Sequence, residues 1–175
     1  LPDRASAPHH NAQSSPTSVS IYARHTSAES RSFPDSSGGP MLAVIRSKAQ
    51  RESDNHSASI ALTSQLSTRS GLHFSATHYD HHETITSPGI APGINSAIPP
   101  NRSDNDFSRT TLNLFVESSL TVRFDLAAGL GFEQEDGKSS GQIDFAPGIV
   151  APTGYQLSRD VVNAYAELGY RAATG

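Results

Sequence analysis

From Val122 to Phe132 the sequence alternates without a break. Val122, Phe124, Leu126, Ala128, Leu130 and Phe132 fall on one side, and Arg123, Asp125, Ala127, Gly129, Gly131 and Glu133 on the other. A strand turns successive side chains to opposite faces, so this run describes a strand with one apolar face. On a helix, Arg123, Asp125 and Glu133 would intrude on the apolar stripe. Four further runs keep the same period: Ala58, Ile60, Leu62 and Leu66; Leu72, Phe74 and Ala76; Leu112, Leu114 and Val116; and Val162, Ala164, Ala166, Leu168 and Tyr170. The chain is therefore read as all-β, with about five strands.

Before His56 no such pattern is evident. Leu1–Asn55 is dominated by Ser, Ala, His, Pro and charged residues, with apolar islands only at Val19–Tyr22 and Met41–Ile45. Such a segment buries too little apolar surface to offset the entropy of ordering it. The expectation is a mostly disordered stretch over 1–55, with a short helix in MLAVIRSKAQRE (Met41–Glu52), and a β-domain over 56–175.

Charge and composition exclude several classes. With 17 acidic and 13 basic residues the net charge is only −4, which argues against a basic nucleic-acid footprint. The absence of cysteine excludes disulfides and thiolate metal sites. Leu1–Ser20 has no apolar run resembling a signal peptide, and no window is long enough for a transmembrane helix. A transmembrane strand has a weaker signal and stays open.

The connections favour that option. Ser67–Ser70 and Ser118–Thr121 are short, whereas Asp80–Phe107 and Glu135–Asp160 read as long loops. Short turns on one side and long loops on the other suit an outer-membrane barrel, as do Phe124, Phe132 and Tyr170 at the two ends of the apolar face. The expected fold is an antiparallel transmembrane β-barrel fragment with short periplasmic turns and long extracellular loops. A β-sandwich with the same aromatics in its core is the alternative.

Four segments carry a resemblance: ALTSQLSTRSGLHFSATHYDHHETITSPGIAPG, SAIPPNRSDNDFSRTTLNL, FEQEDGKSSGQIDF and LSRDVVNAYAELGYR. Through them His56–Arg171 resembles the barrel of bacterial TonB-dependent outer-membrane receptors, in particular the vitamin B12 (cobalamin) receptor-like branch. The resemblance implies a closed barrel of about 22 strands around a plug, uptake of a cobalamin- or siderophore-like ligand, outer-membrane lipid and the TonB system as partners, and the bacterial outer membrane as location. No plug or TonB-contact motif is recognisable, so a fragment unable to transport alone is expected. The alternative function is that of a small soluble or surface β-domain with a structural or binding role.

Candidate sites are weaker. His73, His78, Asp80, His81, His82 and Glu83 form a metal-like cluster, but adjacent strand residues face opposite ways and the spacing matches no metal signature. Asn101, Ser103, Asp104, Asn105 and Asp106 are rich in oxygen ligands but lack the glycine and glutamate of a calcium loop. A hydrolase assembled from a serine with His73 or His78 and Asp80 or Asp125 lacks a nucleophile elbow. Glu133 and Glu135 share a face without an evident pocket. No catalytic residue, metal or cofactor is assigned, and no enzymatic activity is expected.

The polar positions Arg123, Asp125, Glu133, Asn163, Glu167 and Arg171 are expected to pair across strands. PGIAP (Pro88–Pro92) and PGIVAP (Pro147–Pro152) read as matched Pro-Gly turns at hairpin tips. The stretch GLGFEQEDGKSSG (Gly129–Gly141) ends like a phosphate-binding loop. Its glycine spacing is wrong, however, and it continues a strand rather than opening a helix.

Overall fold

The computed structural model describes residues 16–34, 44–90 and 97–172. They form six strands: β1 (Thr17–Ser32), β2 (Ala49–Ser67), β3 (Ser70–Ser87), β4 (Asn101–Ser119), β5 (Phe124–Ala146) and β6 (Ile149–Tyr170). All pair antiparallel in sequence order, so the sheet is a single meander with β1 and β6 at its edges. The edges do not pair with each other, and the sheet stays open. This corrects the barrel expectation: there are six strands where about five were read, and they do not close.

The strands are longer than the apolar runs that announce them. β5 has 23 residues and β6 has 22, about 70 Å of extended chain each. The stretches read as long loops are mostly strand. Asp80–Ser87 pairs with Asn101–Ser108, and Glu135–Asp144 pairs with Val150–Arg159. Their side chains are mostly polar on both faces, with isolated apolar residues such as Ile85, Phe107 and Leu157, so hydropathy carries little period there, while the backbone ladder continues regardless of side chain.

The N-terminal expectation also changes. β1 lies wholly within 1–55 and β2 begins there, so this segment is not simply disordered. Of the expected helix, Met41–Ala43 falls outside the described residues, Val44–Lys48 is irregular, and Ala49 opens β2.

The turns follow their chemistry. Thr68-Arg69 joins β2 to β3 in two residues, after a bulge at Leu66. Between β4 and β5, the Thr121 hydroxyl oxygen accepts the N–H groups of Arg123 and Phe124, each at 3.1 Å. Val122 and Arg123 therefore belong to this turn and not to the strand. Of the two Pro-Gly pairs, only Pro147-Gly148 forms a hairpin tip, between Ala146 and Ile149; Pro88-Gly89 interrupts the β3–β4 ladder short of its tip, since Ile90 pairs with Ile98 beyond it. Gly89 and Gly148 have φ of 84° and 81°, a region open to glycine, and at the second pair Pro147 supplies the preceding position of a type II turn. Such a turn splays a hairpin, and the register shift at Asp144/Ala146 absorbs the mismatch.

Among the described residues no apolar side chain is buried. The sheet is one layer, and it has no core of its own.

Candidate binding surface

Residues paired across antiparallel strands share a face, so the register defines two surfaces. On one, Val19, Leu62, Phe74, Leu114, Leu130 and Ala164 form a row across all six strands. The next row is Ile21, Ile60, Ala76, Leu112, Phe132 and Val162. Leu72, Val116, Ala128 and Ala166 extend the belt towards the short turns, followed by Leu126 with Leu168 and Phe124 with Tyr170. From Phe124 to Phe132 the belt runs about 25 Å along β5.

The belt has a sharp boundary. Two rows beyond Ile21 the same face reads His25, His56, Asp80, Ser108, Asp136 and Ser158. The His25 and His56 rings stack at 4.4 Å. One row further, His82 Nδ1 lies 2.6 Å from Asp106. This hydrogen bond, helped by the negative charges of Asp106, Asp104 and Asp54, raises the imidazole above its ordinary value of 6.5.

The opposite face is largely polar, and most of its charged groups pair across strands. Arg109 Nε donates to Glu135 at 2.6 Å, and Arg159 reaches Glu133 at 2.9 Å and Glu135 at 2.6 Å. Arg51 pairs with Glu83, the one buried polar side chain among the described residues. Tyr79 donates to Asn55 Oδ1 at 2.8 Å, and His81 meets the same oxygen at 2.7 Å. At the short-turn end Asp125 accepts from Ser119 and from Arg171, both at 2.7 Å. The Ser119 hydroxyl first, and then the Arg171 guanidinium, hold the Asp125 carboxyl below the ordinary carboxylate value.

Gly129 shows why this face packs on itself. It sits between Phe115 of β4 and Tyr165 of β6, whose rings stack over it at 6.1 Å. A Cβ at Gly129 would lie 2.4 Å from the Tyr165 ring. The missing side chain lets the two aromatics close over the strand. Gly129 and Gly131, which faces Asn163 in the same way, thus serve packing against β6, and the stretch is no phosphate-binding loop. The stretch does not enter a loop at Asp136-Gly137, since β5 continues to Ala146.

The candidate residues are dispersed by the same alternation. His73, His78, Asp80, His81, His82 and Glu83 all lie on β3, with His78, Asp80 and His82 on the belt side and His73, His81 and Glu83 on the other. His78 bonds Thr110 at 2.9 Å, not Asp80, so no hydrolase arrangement forms there. Among the described residues no three metal-ligating side chains converge. Asn101, Ser103, Asp104, Asn105 and Asp106 lie in β4 rather than a loop. Asp104 accepts from Thr84 at 2.7 Å, which with Arg102 lowers its carboxyl below the ordinary value, and Asn105 accepts from Ser139. Glu133 and Glu135 do share a face, but arginines engage both. Of the expected polar pairs, Arg171 finds Asp125, while Glu133 pairs with Arg159, which was read as loop.

No protein-family model matches the chain, and no curated protein matches it in sequence. The open six-stranded sheet overturns the resemblance to TonB-dependent receptors. The transmembrane-barrel fold, ligand transport, outer-membrane location, and the lipid and TonB partners inferred from it are corrected accordingly. What the described residues present is a small antiparallel β-sheet with one largely polar, cross-paired face and one apolar face that none of them covers.

Proposed function

We propose that this chain is a binding module without enzymatic activity, and that its apolar face is the surface on which a second protein layer docks. One observation carries the reading: two complete rows of apolar side chains cross six strands, yet none of these residues is buried. Each Leu, Ile or Val left in water forgoes about 1.5–3 kcal/mol of burial. Stable β-domains cover such a face with another layer. The polar face supports the same role, because most of its carboxylates and histidines are engaged by neighbouring side chains: Glu133 and Glu135 by Arg159, Asp125 by Arg171, and His81 by Asn55.

Methyl NMR with a soluble nitroxide tests this. The methyl signals of Leu114, Leu130 and Val162 should be shielded in the native protein, while Leu157 on the polar face broadens strongly. Equal broadening of all four in a folded protein would rule the reading out.

A further inference from the structure

Taking the binding-module reading as its basis, we infer that the layer covering the apolar face is a second copy of this chain. A two-fold axis then relates two six-stranded sheets stacked as a sandwich.

Area is the first argument. Val19, Ile21, Leu130, Val162, Leu168 and Tyr170 each keep more than half of their surface exposed. With their partly covered neighbours they offer on the order of 1,000 Å² per copy, against roughly 800 Å² per partner in a standard stable interface. Homodimer interfaces are also the most apolar class, and this belt contains no charged side chain.

Shape is the second. Ala128, Ala164 and Ala166 floor a shallow hollow walled by Leu114, Val116 and Leu130. On β6 that hollow is flanked by Val162 and Leu168, which stand out at 77% and 62% exposure. Projections and hollow lie side by side on one surface, so a two-fold axis lets each copy's projections enter the other's hollow.

Charge selects the arrangement. Edge-to-edge pairing is opposed by Arg24, Glu29 and Arg31 on β1, and by Pro152, Arg159 and Asp160 on β6. Beyond the belt, the same face carries nine carboxylates, among them Glu29, Glu52, Asp54, Asp80, Asp106 and Asp136, against Arg31, Arg102 and Lys138. Stacking those ends at the ~10 Å spacing of packed sheets would set acid against acid. The axis therefore lies across the strands, and the acidic ends of the two copies point in opposite directions.

Sedimentation equilibrium of the full chain should give twice the mass of one chain. Leu130→Lys with Val162→Lys should weaken association by ~100-fold or more, while Thr77→Lys on the polar face leaves it unchanged. Should the double variant fail to fold, Lys138→Cys in the otherwise cysteine-free chain, spin-labelled, keeps the test open. Electron–electron distances in its dimer should be long, beyond about twice the ~10 Å sheet spacing. Short distances would overturn the orientation. A folded monomer with shielded belt methyl groups overturns self-association but leaves the binding-module reading intact. A folded monomer with solvent-exposed methyl groups overturns both, and larger heterogeneous species overturn the two-fold dimer.

Discussion

Leu114 and Asn113 are neighbours on β4, yet they belong to surfaces with opposite needs. Asn113 points to a face where arginines, carboxylates, hydroxyls and aromatic rings meet one another across strands. Leu114 points to a face where every neighbour in its row is apolar and no described residue covers them. One side is complete in a single layer because polar groups find partners laterally. The other is incomplete because apolar side chains gain only by leaving water, and a flat sheet cannot bury its own face.

The contrast should be sharpest at that pair. Leu114→Asp is expected to cost about 2–4 kcal/mol in denaturant unfolding of the assembled protein, whereas Asn113→Asp should stay within about 0.5 kcal/mol. A similar loss at both positions would erase the distinction between faces. On the polar side, Glu135→Gln removes the carboxylate that Arg109 and Arg159 share, and should cost about 1–2 kcal/mol. Glu133→Gln, which loses one exposed arginine contact, should cost about 0.5 kcal/mol. Tyr165→Ala uncovers Gly129 and breaks the stack on Phe115, with an expected loss of about 1 kcal/mol.

The smallest effect belongs to the charged end of the belt face. His82 has its folded value raised, chiefly by the hydrogen bond to Asp106. Its contribution to stability is therefore fully present below the unfolded value near 6.5 and is lost as pH rises through the higher folded value. Both partners are exposed, so the dependence should be shallow. Imidazole NMR titration should place His82 above the ordinary value, and Asp106→Asn should return it. An unchanged midpoint in that variant would remove the pair from the account.

Strands were legible wherever one face is apolar: Leu72–Ala76, Leu112–Val116, Phe124–Phe132 and Val162–Tyr170 all lie where their alternation puts them. Polar continuations were not. Asn101–Asp106 and Asp136–Ser140 alternate between residues of similar hydropathy, and only pairing with the neighbouring strand makes them regular. β1 had the right period at Val19, Ile21 and Ala23, but three positions in a serine-rich stretch carried little weight. Arg159 was missed for the same reason, since following the β6 alternation back from Val161 puts it on the Glu133 face.

Reading the apolar face as a piece of barrel wall was the larger error. Alternation reports that one face is apolar, and a barrel wall and an open sheet share that property. What covers the face depends on whether the first and last strands meet, and side-chain pattern does not encode that. The pairing of arginines with carboxylates was legible in kind, while its partners needed the register.

The central claim concerns coverage of the belt, and the cysteine-free chain offers a direct reading of it. Single Leu130→Cys and Asn113→Cys variants can be alkylated under native conditions and again in denaturant. The belt thiol should react ~100-fold or more slowly than the polar-face thiol in the native protein, with the two rates converging on unfolding. Equal native rates in a folded protein would show that the apolar face stands open to water, and would contradict the account.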